Sequence, residues 1–311
     1  MLGIIIVIYK SHEQTAAYVS RQLPKIALEH RTVVVDQASD VAVSKALAEQ
    51  IGAVWIENGS DGVPVAPLYV LHTPENMGYA RGNNLGVKFL LDIDGATDKM
   101  LFSNDDIEFL SDNVVDVLAE RLDAMPDVAC IGPMVIDLAE KLQGPGYRRP
   151  EIGYTVRRNF GEPFFGGARY ALDADRERVS EVVYMVEGCF HLVRTADFMT
   201  VGMFDERTFL YWEERILSEL LAAIGRKVYY EASVKIRHYV GNTIRQHAPN
   251  LLLVKCELEG QHIYYCIYRR IGLFARMALR ISGWCRMTLV RMCIVKHKLL
   301  CAAAGRACSS K

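Results

Sequence analysis

Four short runs of apolar, largely β-branched residues punctuate the first third of the chain, and each stops on a polar group. They are Leu2 to Tyr9 (LGIIIVIY), RTVVVDQASD (31–40), LYVLHT (68–73) and KMLFSNDD (99–106). Between the first three lie EQTAAYVSRQLPKIALEH and DVAVSKALAEQIGA, and NNLGVKFLLDID follows the third, all with apolar residues at helical spacing. Unbroken apolar strands separated by helix-length segments predict an α/β fold, an open, mostly parallel sheet with helices on both faces. Such sheets bind ligands at the carboxyl ends of their strands. The strand ends here carry Tyr9, Asp36, His72–Thr73 and Asn104–Asp105–Asp106. One polar strand end is ordinary; four on one edge describe a binding crevice.

The pattern then loosens. Residues 135–182, with LQGPGYRRPEIGY and NFGEPFFGGARY, are rich in Gly, Pro and aromatics and predict a long loop with short hairpins. Apolar structure resumes with VVYMVEGCFHLVRTADFMTVGMFDE. RILSELLAAIG (215–225) predicts a helix closed by its glycine, and KVYYEASVKIRHY (227–239) a further strand. From about 255 to 308 the pattern is helical, with basic residues interrupting every apolar run, so no uninterrupted membrane-length segment exists. The N-terminal apolar run is too short for a span and lacks a basic leader; it reads as a buried first strand.

Charge sharpens this division. Residues 1–259 hold 26 Lys/Arg against 37 Asp/Glu, a net of −11, whereas residues 260–311 hold 10 Lys/Arg and no acid. The expected organisation is one domain over 1–250, a nucleotide-binding half (1–110) and an acceptor-binding half (111–250), followed by a basic amphipathic helical tail (251–311). Interleaved basic and apolar residues, with Trp284, suit an anionic membrane surface; a helical hairpin packed on the body or a dimer partner is the other reading. The basic residues join no nucleic-acid reader motif. The 8 cysteines contain no CxxC pair and no zinc spacing, and read as free thiols.

The adjacent carboxylates of SNDD pose the chemical question. Two carboxylates at a strand end repel and are costly to desolvate unless a metal ion, a backbone turn or solvent receives them. No G-x-G-x-x-G follows the first strand and no G-x-x-x-x-G-K-[ST] occurs, so any phosphate is held by other means.

Six segments, in order, resemble the inverting family 2 glycosyltransferases of the GT-A nucleotide-sugar fold, above all the rhamnosyltransferase-like bacterial members that build surface polysaccharides. They are IIIVIYKSHEQT, VVVDQAS (33–39), ENMGYARGNNLG (75–86), LFSNDDIEF (101–109), EGCFHLVRTADFMTVGMFDERTFLYWEE (187–214) and VKIRHYVGNT (234–243). The resemblance implies that Ile8, Tyr9, Asp36, Asn76, Gly78, Asn83, Asn84, Asn104 and Asp105 surround a UDP-, TDP- or GDP-linked sugar. Asp36 would meet the base. It implies that Asp106, with His238, holds a divalent cation, Mg²⁺ or Mn²⁺, against the diphosphate. Glu214, beside Glu213, would take the acceptor hydroxyl's proton. Asn104 and Glu214 depart from the family's commoner Asp at those positions. From the residues alone, Asp36 also reads as a turn or N-cap, 76–86 as a turn opening a helix, His238 as structural, and the glutamates as helix N-terminal charges.

The implied activity is transfer of a sugar, with inversion, to a lipid-linked or oligosaccharide acceptor, at the cytoplasmic face of the cell membrane. Two rivals are a sugar nucleotidyltransferase, for which YKSHEQT offers only Lys10 as a phosphate clamp, and a non-catalytic scaffold that binds nucleotide sugar or membrane.

Overall fold

The computed structural model describes residues 1–57, 59, 62–93, 95–165, 179–239 and 250–303. Its centre is one sheet in the order β3-β4-β2-β1-β5-β9-β7-β10-β6, with β8 paired to β10. The parallel half comprises β1 (Leu2–Ile8), β2 (His30–Gln37), β3 (Val54–Ile56), β4 (Leu68–Thr73) and β5 (Lys99–Ser103). The register sets Ile8 beside Asp36 and Asp36 beside His72, so the polar strand ends lie side by side as expected.

Alternation along each strand feeds two cores, because successive side chains leave a strand on opposite faces. Ile4, Ile6, Val34 and Leu101 pack under α1 (His12–Arg21), α2 (Val41–Ile51) and α4 (Val114–Ala124), through Tyr18, Leu47 and Leu118. Ile5, Val33, Val35 and Phe102 pack on the other face against α3 (Gly78–Ile93) and α6 (Thr195–Thr200), through Val87, Leu90 and Phe198. Ile4, Ile5 and Ile6 are 0% exposed; full burial of such a side chain is worth about 1.5–3 kcal/mol. The Asp40 side chain caps α2, accepting from Ala42 N at 2.8 Å.

The second half is mixed rather than parallel. β9 (Phe190–Arg194) runs antiparallel between β5 and β7 (Val128–Ile136). β10 (Lys227–His238) runs parallel to β7 and carries β6 (Ile107–Phe109) and β8 (Glu181–Val183) antiparallel. α7 (Glu213–Ala223) precedes β10, matching the expected helix–strand pair.

The expected loop over 135–182 is partly a helix, α5 (Ile152–Phe165). What stabilises it is distant in sequence. Ile152 and Val156 pack against a cluster of Trp212, Ile216, Tyr264, Tyr265 and Leu279. Asn159, fully buried, donates to Gln261 at 2.9 Å and to Ser282 at 3.2 Å. Residues 166–178, which hold the rest of the predicted hairpins, lie outside the described residues.

The tail is helical: α8 (Asn250–Ile263), one π-helical turn (Tyr264–Tyr268) and α9 (Leu273–Ala303). It packs on the body through that aromatic cluster. The ring centroids of Tyr264 and Tyr265 lie 5.2 and 5.8 Å from that of Trp212. Helix α8 comes so close that a Cβ on Gly260 would stand 2.8 Å from the Trp212 ring. Glu257 pairs with Arg158 of α5 and with Arg286 of α9. Among the described residues no helix is long and apolar enough to cross a membrane.

Candidate active site

The two carboxylates of SNDD point apart. Asp105 turns inward and is 7% exposed. It accepts from Gln14 Nε2 at 2.9 Å and lies 2.8 Å from Thr15 Oγ1, both on α1. Burial pushes its pKa up despite those bonds. Asp106 turns the other way, with Oδ1 3.2 Å from His238 Nε2 at the end of β10. The contact lacks hydrogen-bond geometry, and Asp106 Oδ1 is a buried oxygen without a hydrogen-bonding partner. Behind it, His238 Nδ1 lies 2.9 Å from Gln143 Oε1. Burial disfavours the His238 imidazolium, but contacts with Cys189 and Asp106 outweigh it and raise the pKa. The Cys189 thiol is itself pushed up by burial and stays neutral at ordinary pH, so Asp106 is the partner whose charge counts.

A cation fits here. Asp106 Oδ1 is a buried carboxylate oxygen without a hydrogen bond, and His238, 3.2 Å away, is a second donor once its proton is displaced. Among the described residues no group of three or more His, Cys, Asp or Glu side chains forms a metal cage. Mg²⁺ is commonly held by one or two protein groups with the remaining ligands from phosphate and water.

Asp36 ends β2 fully buried. Both its oxygens lie 3.2 Å from His12 Nε2, and Ser39 Oγ donates to it. Burial opposes its ionisation, but the bonds from His12, Ser39 and Ser44 prevail and hold its pKa below the usual range. The same contact raises the pKa of His12. Next along the strand, Gln37 clamps the following turn: its Oε1 accepts from Met77 N at 2.6 Å. Asn76 Oδ1 accepts from Gly78 N at 3.0 Å and starts α3. Gly78 has φ 82°, and a Cβ there would stand 2.3 Å from the Phe209 carbonyl oxygen; only glycine fits.

The acidic pair opens α7. Tyr211 and Trp212 just before it have φ 76° and 77°, a left-handed conformation costing about 1–3 kcal/mol at a non-glycine residue. The Tyr264–Tyr265 contacts hold Trp212 there. Glu213 is 4% exposed, and its Oε1 has no hydrogen-bonding partner. Burial first, and the adjacent Glu214 second, raise its pKa to about 8. Glu214 is more open and is paired with Arg215.

The turn 187–189 lies beside these stations. Cys189 O accepts from Asn104 N at 2.9 Å. Gly188 O accepts from Tyr79 of α3 at 2.6 Å, and a Cβ on Gly188 would stand 3.5 Å from Glu214 Oε2. Beneath it, burial lowers the pKa of His191 to about 4, so its ring is neutral.

No family model matches the sequence. It is 24% identical over 264 residues to an N-acetylglucosaminyl-diphospho-decaprenol L-rhamnosyltransferase of Mycobacterium tuberculosis, found in two strains. The match spans 80% of this chain and 81% of the relative. The structure superposes on mannosyltransferase PcManGT from Pyrobaculum calidifontis, solved with GDP-Man and Mn²⁺, with a TM-score of 0.55 and 13% identity, covering 98% of this chain and 76% of that one. It also superposes on GalNAc-T7, solved with UDP, GalNAc and Mn²⁺, with a TM-score of 0.54 and 12% identity, covering 86% of this chain and 49% of that one. The chain is a glycosyltransferase of the GT-A fold.

In this glycosyltransferase the residues singled out from sequence divide into two groups. Tyr9, Asn76, Gly78, Asn104, Asp106, His238 and Glu214 lie at strand and helix ends, whereas Asp36, near the end of β2, is fully buried and bonded to His12 and Ser39. The others are spent on the protein itself. Ile8 is buried in the core. Asn83 Nδ2 donates to Tyr79 O at 2.9 Å. Asn84 exchanges bonds with the Phe204 backbone. Asp105 braces α1 and Glu213 is sealed in the core. Lys10 is exposed, its Nζ 5.0 Å from the Tyr9 ring centre. Sequence reasoning missed His12, Gln37, Tyr79, Gln143 and the 187–189 turn as parts of the site. His12, Gln37, Tyr79 and the turn lie inside segments that carry the resemblance but were not named as site residues; Gln143 lies outside all of those segments.

Proposed function

We propose that this glycosyltransferase inverts the configuration of the sugar it transfers from a nucleoside diphosphate to a lipid-linked saccharide. The observation that supports this best is the placing of two separate acidic stations beside one turn: Asp106–His238 follows Asn104, whose N–H donates to Cys189 O, and Glu214 lies next to Gly188. One-step inversion asks for a base on one side of the sugar and charge neutralisation on the other.

Asp36 and the turn at Asn76–Gly78 receive the base and ribose of a UDP-, TDP- or GDP-linked donor. Asp106 and His238 would hold Mg²⁺ or Mn²⁺. A bound divalent cation offsets the charge on the departing diphosphate. Glu214 Oε takes the proton from the acceptor hydroxyl as that oxygen attacks the anomeric carbon. Glu213, buried and raised toward neutrality, positions the helix and leaves Glu214 as the only nearby anion of the pair. The named substrate of the mycobacterial relative supports a deoxyhexose donor and a polyprenyl-linked acceptor, and with them a place in surface polysaccharide synthesis at the cytoplasmic face of the cell membrane.

The test is thermal stabilisation of the full chain and of Asp106→Ala by UDP, TDP, GDP and their sugars, with and without Mn²⁺. A ligand that binds only the folded state raises the melting temperature by mass action. A metal-dependent rise in the parent, absent from Asp106→Ala with its unliganded melting temperature kept, supports the reading. Equal rises in both remove Asp106 from the cation. No rise with any nucleotide removes Asp36, the Asn76–Gly78 turn and Asp106 from donor binding.

A further inference from the structure

Helix α9 has two faces of opposite character. Its inner face, with Leu279, Ser282 and Arg286 buried, packs on α5 and α8. Its outer face carries Leu273, Phe274, Met277, Ile281 and Trp284, repeating at helical spacing, and the stripe continues through Met292 and Val295. Phe274 is 88% exposed and Trp284 71%. Contiguous exposed apolar side chains of this kind mark an interaction surface. The exposed basic residues Arg276, Arg280, Arg291 and Lys296 lie along the same helix, and Arg270 precedes it. No acidic residue occurs after Glu259.

We propose that this face of α9 lies in the plane of an anionic bilayer, with the apolar stripe at the acyl boundary and the arginines among the headgroups. Charge decides the occupant. A second copy meeting this face would set arginine against arginine with no carboxylate to answer. An anionic lipid surface answers every one, since basic residues are drawn to such a surface. The aromatic pair Phe274 and Trp284 sits on the stripe itself, as in helices that lie in the interface and do not span. The stripe is remote in sequence from Asp106 and Glu214, so the inference stands apart from the catalytic reading. If that reading also holds, the surface confines enzyme and lipid-linked acceptor to one plane.

The experiment is co-sedimentation of the full chain with vesicles of phosphatidylglycerol and, separately, of phosphatidylcholine alone. The triple variant Phe274→Glu, Ile281→Glu, Trp284→Glu is run beside it. All three sites are exposed, so circular dichroism and melting temperature are expected to match the parent. The parent is expected to partition onto the anionic vesicles, far less onto the neutral ones, and less as salt rises. The variant is expected to lose roughly a hundredfold or more in partitioning. Three outcomes overturn the proposal: a parent that stays in the supernatant with anionic vesicles, a folded variant that binds as well as the parent, or a parent that dimerises through this face in light scattering while ignoring lipid. Nucleotide-dependent stabilisation, measured on the same samples, reports on the catalytic reading separately.

Discussion

Glu213 and Glu214 are adjacent in sequence, yet only Glu214 is open enough to serve as a base. Glu214→Gln is expected to reduce sugar transfer by about 10²–10⁴-fold while leaving nucleotide-dependent stabilisation intact; turnover and melting shifts measured together check this. Glu213 has a different signature. Below its ordinary pKa of 4.5 it is protonated in both folded and unfolded chains and does not bias folding. As pH rises the unfolded chain ionises first, so stability falls until the folded group ionises near 8. Glu213→Gln is therefore expected to be more stable than the parent at pH 8, by roughly 1–3 kcal/mol, with the gap shrinking toward pH 4.5. Urea titrations at the two pH values decide it, and an equal gap at both would place the burden elsewhere. His12 has the reverse sign. Its raised pKa contributes stability that is full below pH 6.5 and fades as pH climbs through the folded value. His12→Ala should cost about 1 kcal/mol at pH 6 and less at pH 9 in the same assay. At this scale the sequence was legible as to residue type and silent as to direction. Asp105 and Asp106 are the same residue type side by side in a turn, and only the packed structure tells which one α1 claims.

The elements of the parallel half were the most legible. LYVLHT is β4 to the residue, and β1, β2 and β5 begin within a residue of where the apolar runs do. Buried parallel strands write themselves as unbroken β-branched runs. Helix α5 was not legible, since its partners lie about a hundred residues downstream, and neither was β9, whose antiparallel insertion depends on which strands flank it. Element junctions carry a prediction of their own. Gly78→Ala forces a side chain into left-handed backbone and onto the Phe209 carbonyl, in the loop that leads to Glu213. A loss of roughly 2 kcal/mol or more is expected, together with a fall in turnover. Gly153→Ala, in α5, meets open space within 4 Å and is expected to be neutral or slightly stabilising. Melting temperatures of the pair check both.

At the scale of the whole molecule, composition divides an acidic body from a basic tail, yet packing crosses that division. Trp212, one residue before the acidic pair, is held by Tyr264 and Tyr265. Deleting residues 250–311 is therefore expected to expose that cluster, lower the melting temperature and abolish transfer. A tail that merely tethered the protein would leave a truncated chain with the parent's melting temperature and near-ultraviolet circular dichroism. The charge division was readable by counting; the packing was not, because aromatic residues in a helical run look alike whether they face a protein core or a lipid.

The 187–189 turn has a consequence for choosing substrates. Its Cys189 carbonyl accepts from Asn104 N, its Gly188 carbonyl accepts from Tyr79, and Gly188 lies beside Glu214. A side chain at position 188 would enter the space next to that carboxylate. On the proposed reading, the tolerance of the enzyme for different substrates is expected to change with the residue placed there.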